Sequence, residues 1–146
     1  ETVQEDSGAL PLLAPMSDIA ITRTTQRPFD DTVEACRTAL AAEGFGVLTE
    51  IDIAATLKHK LDVDRPPYTI LGACHPPSAH RVLDAAPEVG VLLPCNVTVS
   101  VEGDATVVRA MDPTSAMTMI DDPVVAEVAA DIRERLERAV ASIERT

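Results

Sequence analysis

Two runs rich in β-branched residues, Cys95 to Glu102 and Ala105 to Met111, are separated only by Gly103-Asp104. Glycine at the first central position of a two-residue loop suits a type II′ turn, which needs positive φ there and matches the twist of paired strands. That turn leaves one register, with Val101 facing Thr106, Val99 facing Val108 and Val97 facing Ala110. The face so formed is apolar. The other carries Asn96, Thr98, Ser100, Glu102, Val107 and Arg109 and is mostly polar. A slip of one residue would mix the two sets. Cys95 has the parity of Val97 and belongs to the core face.

A sheet with one apolar face needs a layer to cover it, and the remaining sequence supplies helices. Ile19 to Thr24 alternates and reads as an edge strand. Asp31 and Glu34 have capping-box spacing, and Phe29, Val33, Cys36 and Leu40 recur at helical intervals up to Gly44, a candidate left-handed terminator. Phe45 to Ile51 reads as a strand, after which Asp52 can cap a short helix carrying Ile53, Leu57 and Leu61. Pro66-Pro67 stops it. Tyr68 to Cys74 is a further strand, followed by Pro76-Pro77 and a short helix through Leu83 that ends by Pro87.

Near the C-terminus, Asp122 caps and Pro123 opens the longest helix, whose stripe is Val125, Val128, Ile132, Leu136, Val140 and Ile143. Asp131 with Arg135, and Glu134 with Arg138, are spaced as i,i+4 pairs on its exposed side. The prediction is an α+β fold: a two-layer sandwich in which helices cover one face of a mainly antiparallel sheet.

With 146 residues, one domain over 18–146 is expected, preceded by an acidic, Pro-containing tail or extension at 1–17. The tail lacks the basic start of a signal peptide, and no apolar run approaches the roughly 18 residues of a membrane span. The excess of 24 acidic over 12 basic residues, net −12, opposes nucleic acid and anionic membrane surfaces. Aromatic residues are limited to Phe29, Phe45 and Tyr68, which removes the usual base-stacking platforms. Three cysteines without a CxxC pair suggest reduced thiols in a cytoplasmic protein.

The stretch Tyr68-Thr69-Ile70-Leu71-Gly72-Ala73-Cys74-His75-Pro76-Pro77, then Ala79, Leu83 and Pro87, leads into Gly90-Val91-Leu92-Leu93-Pro94-Cys95-Asn96. With Glu43-Gly44-Phe45-Gly46-Val47 and Ile51-Asp52, it resembles the domain-of-unknown-function family 302, in its cysteine-containing branch. The resemblance runs from about Thr32 to the final helix. It implies a curved antiparallel sheet with helices in a TATA-binding-protein-like arrangement, and homodimers. It implies no activity.

Cys74, His75 and Cys95 are the first candidate ligand-binding residues. Two thiols brought together could hold a soft metal such as copper or zinc, switch by disulfide formation, or act in a thiol-dependent enzyme. Equally, each could pack as a small hydrophobe. Met117 and Met119 form a Met-x-Met pattern that would add soft ligands near Cys74 and Cys95, or would simply alternate in a short core strand. His80 follows His75 by five residues and reads as either a second site imidazole or an exposed helix residue. Arg65 and Tyr68 flank Pro66-Pro67 and suit either a pocket mouth for a small anion or a rigid strand entry. Two readings lead: a module binding a small molecule or metal, and a homodimeric interaction module with no small ligand.

Overall fold

The computed structural model describes residues 19–146, so the tail expected at 1–17 lies outside the described residues. Five strands, β1 (Ala20–Thr25), β2 (Gly46–Asp52), β3 (Tyr68–Cys74), β4 (Cys95–Glu102) and β5 (Ala105–Met111), form one sheet in the order β1-β5-β4-β3-β2. Every neighbouring pair is antiparallel. The β4–β5 hairpin takes the expected register, pairing Val97 with Ala110, Val99 with Val108 and Val101 with Thr106. Gly103 has φ +66°, as the turn demands, and Asp104 does not share a positive φ.

The helices are α1 (Phe29–Ala42), α2 (Ile53–Leu61), α3 (Pro76–Ala85), α4 (Pro113–Ala116) and α5 (Pro123–Ala141), with a 3-10 helix at Pro87–Leu92. The core joins Val33, Cys36 and Leu40 of α1 and the whole expected stripe of α5 to Leu71, Val97, Val99 and Val108 of the sheet. Asp122 caps α5, its Oδ1 accepting from the Val124 and Val125 N–H groups at 2.8 and 3.2 Å. On the other face of the sheet, Arg109 pairs with Glu102 while the Ser100 hydroxyl donates to the same carboxylate at 2.8 Å. Among the described residues, no helix is long and apolar enough to cross a membrane.

Three local expectations are corrected. The first concerns the start of α1, where no capping box forms. Pro28 takes the cap position, so Asp31 falls inside the first turn, where its charge favours the helix N-terminus without capping it. The second concerns Arg138, which turns from Glu134 to Glu43 at the end of α1, 2.9 Å away, and so ties two helices together. The third concerns Met117 and Met119, which do not lie on a strand. Asp112 caps the single turn of α4 through Thr114 N–H at 2.9 Å, Pro113 takes its first position, and a turn follows.

Candidate functional site

The long connection from β3 to β4 returns beside its starting point, because Ala73 pairs directly with Cys95. Cys95 therefore faces the helices. Cys74, one residue further along β3, pairs with Gly46 of β2 and has the opposite parity. At this end of the sheet α3, the 3-10 helix and the first half of α5 stand over the strands without filling the space. A cavity of about 350 Å³ remains, with Phe45, Leu83, Leu93, Cys95, Met117 and Ile132 in its walls and Cys74, His75 and Ser78 also lining it.

Local sequence explains the opening. Pro76 and Pro77 start α3 immediately after β3, and α3 buries only Val82 fully. Pro87 begins the 3-10 helix, and the chain re-enters the sheet through a cis Leu93–Pro94 bond. Small side chains at Ala73, Ala79 and Ala129 line the remaining walls. These alanine side chains are too short to fill the space between α3, α5 and the sheet.

His75 is the polar fixture of the cavity. Its Nδ1 lies 2.7 Å from Ser78 Oγ, and its ring meets Phe45 edge-on with centroids 5.7 Å apart. Burial, and then the positive charge of Arg135, push its pKa below the ordinary histidine value, against a smaller opposing effect of Asp131. The ring is therefore neutral near pH 7. It lies against Gly44, where a Cβ would come within 3.0 Å of His75 Cδ2 and where φ is +87°. Gly44 thus ends α1 and also makes room for the imidazole.

Burial raises the Cys95 thiol to about 11, with a smaller push from Cys74. Cys95 is a protonated, apolar wall group at neutral pH, poorly prepared for nucleophilic attack or metal binding. All three cysteines are free. Among the described residues, no group of three or more His, Cys, Asp and Glu side chains is arranged to hold a metal ion.

The other candidates separate. Met117 is buried in the cavity wall, whereas Met119 is 86% exposed, because the turn after α4 sends the two side chains different ways. His80 sits on the exposed side of α3, with Nε2 3.6 Å from Asp84 Oδ2. Arg65 stacks over Tyr68, 5.1 Å from the ring centroid, at the opposite end of β3 from Cys74. So the structure brings Cys74, His75, Cys95 and Met117 to one cavity and leaves His80, Arg65, Tyr68 and Met119 out. Sequence reasoning missed Ser78, Phe45, Leu93 and Ile132. Ser78, three residues after a histidine at a helix start, carried a readable signal; the apolar three did not, since nothing distinguishes a pocket wall from a core.

The family model for "Domain of unknown function DUF302" matches residues 21–143, nearly the whole described chain. The chain belongs to the DUF302 family. A crystal structure of an uncharacterized conserved DUF302 protein from Bacillus stearothermophilus is 33% identical and superposes with a TM-score of 0.80, covering 86% of this chain and 98% of that one. Among curated proteins, none matches the chain at a significant level. Every cavity residue discussed above, from Phe45 to Ile132, falls inside the span that matches the DUF302 family.

Proposed function

We propose that this DUF302 chain is a binding module for a small, largely apolar molecule, held in the cavity between β3, β4, α3 and α5. The supporting observation is the cavity itself: about 350 Å³, walled by aliphatic, aromatic and thioether groups, with one oriented neutral imidazole at His75. Ligand sites have this size and this balance of many apolar and few polar groups, roughly 300–1,000 Å³. A thiol-dependent enzyme acting through Cys95 fits less well, because burial keeps that thiol protonated; rapid alkylation of Cys74 would be the sign of one acting there. The test is titration with an uncharged, environment-sensitive apolar dye, repeated on Ala79→Phe, which fills the cavity from α3. Saturable one-to-one binding, weakened at least about tenfold by the filling variant, supports the reading. Equal binding by both proteins, or none by either, rules it out. Titration of the reduced protein with zinc or copper(I) separates the metal version, which needs stoichiometric uptake that Cys95→Ala removes.

A second reading, a homodimer, is favoured by the β2 edge. Leu48, at a bulge in that strand, is 66% exposed and Ile51 is 45% exposed. An exposed strand edge with apolar side chains is a pairing surface. Light scattering at high micromolar concentration tests it: a dimer that Leu48→Lys dissociates supports the reading, and a monomeric wild type ends it.

A further inference from the structure

Behind the cavity already described, on the far side of α4, lies a second hollow of about 240 Å³ lined by Thr114, Thr118, Ile120 and Ala126. The two share a wall made of Pro113, Met117 and Ala129. These three residues differ in what they can do. Pro113 is fixed by its ring at the start of α4, and Ala129 offers only a methyl group on α5. Met117 alone has a long, unbranched side chain with three rotatable bonds, the kind that adapts to irregular space. Of the three, it is the one whose rotation could open the boundary between the hollows.

We infer that the ligand of this site is an elongated, unbranched aliphatic compound, an alkyl or acyl chain, that threads past Met117 from the inner cavity into the outer one. The inference rests on the binding reading above and adds a shape to it. The inner cavity alone would suit any compact apolar molecule. Two hollows that meet only at Pro113, Met117 and Ala129 suit a ligand long enough to reach from one into the other. Exposed residues line both hollows, Leu48 and Leu83 in the first and Ala126 in the second, so each opens toward the surface. His75 and Ser78 lie in the inner cavity and outside the outer one. A hydrogen-bonding head group therefore sits with His75, and the tail lies past Met117 against the apolar lining of the second hollow. Asp112 anchors the base of α4, accepting from Arg133 Nε at 3.0 Å and from Thr114, so Met117 can swing while its helix stays docked on α5.

The experiment is a length series of uncharged straight-chain 1-alkanols, from six to twelve carbons, displacing a bound apolar dye from the wild-type chain, Met117→Ala and Met117→Phe. Each methylene that gains a buried site tightens binding about fourfold. The expected result is continued tightening across the series for the wild type, and more so for Met117→Ala. Met117→Phe, with a stiff blocking ring, stops tightening part-way while short members bind as before. The Met117 methyl resonance of the wild type should move with long members and stay put with short ones, a readout that survives if a variant does not fold. If short alkanols bind but affinity levels off at the same length in wild type and variants, and the methyl signal does not respond, this inference is overturned and the cavity reading stands. If no member binds the wild type, both fall.

Discussion

The two ends of the helix layer rest on the same sheet and share the same long helix, and each buries a cysteine, yet they pack differently. Around Cys36, where α1 crosses the second half of α5, only about 10 Å³ is left among Leu40, Val97, Val108, Ala139 and Val140. Around Cys95 the gap is about 350 Å³. Ala39 and Ala139 at the closed end are small enough to let α1 and α5 approach, and the larger aliphatic chains then interdigitate. At the open end the facing element is short and bounded by Pro76, Pro77, Pro87 and Pro94. The hollow is therefore local, set where proline dictates the path of the chain, and it is not a general looseness of the core.

The largest difference should appear in thiol chemistry. An unfolded thiol here ionises near 9.0, whereas burial raises Cys36 to about 12 and Cys95 to about 11. At pH 8 the reactive thiolate falls about a thousandfold at Cys36 and about a hundredfold at Cys95 relative to the unfolded chain. A small uncharged apolar reagent can also enter beside Cys95 without unfolding, so mass spectrometry of the native protein should find Cys95 modified well before Cys36. Equal rates would erase the distinction between the ends.

Truncation should come next. Leu40→Ala at the closed end removes a side chain only 2% exposed and is expected to cost about 3 kcal/mol by urea denaturation. Leu93→Ala, which enlarges a hollow already present, should cost under about half as much. A reversed order would mean that the open end is filled in solution.

Gly72→Ala probes what holds the open end apart. A Cβ there would stand 2.9 Å from Pro94 Cγ and against the Thr49 hydroxyl, which can turn away as the proline ring cannot. Overpacking of this kind costs about 1–3 kcal/mol. Because it displaces Pro94, it should also weaken dye binding, which Leu40→Ala should not.

The two ends differ least in the pH dependence of stability. The folded state keeps the Cys36 and Cys95 protons to higher pH than the unfolded chain does. Above about pH 9 the unfolded state binds fewer protons, so stability is intact below that value and declines as pH rises toward about 11 and 12. At pH 10 the loss is about 1 kcal/mol per thiol. Urea midpoints at pH 8 and 10 check it, with Cys36→Ala expected to remove about half the change.

Much of this was legible in the residues, for reasons specific to each element. The β4–β5 register was readable because a glycine fixes the turn and an apolar parity fixes the face, two constraints on one hairpin. The stripe of α5 was readable because its period continues for five turns behind a marked cap. The start of α1 was misread because two acidic residues imitate a cap when the true boundary is a proline. Met117 and Met119 were misread because two alternating apolar positions are too few to tell a strand from a turn. At the site, Cys74, His75 and Cys95 stood out by chemistry, and the pairing of β3 with β4 brings them to one cavity. Its depth was invisible, since emptiness depends on what α3 and α5 fail to reach.

The order of the strands has a further consequence for how the molecule is made. β4 and β5 are adjacent in sequence and form a local hairpin, whereas β1 pairs only with β5, through partners as distant as Ala20 and Met111. A chain emerging from the ribosome exposes β1 well before β5 and cannot pair it until β5 has been synthesised. Closing so long a loop carries an entropic cost that local pairs avoid. The edge that β1 seals should thus assemble last, so that in pulse-labelled hydrogen exchange its amides gain protection after those of the hairpin.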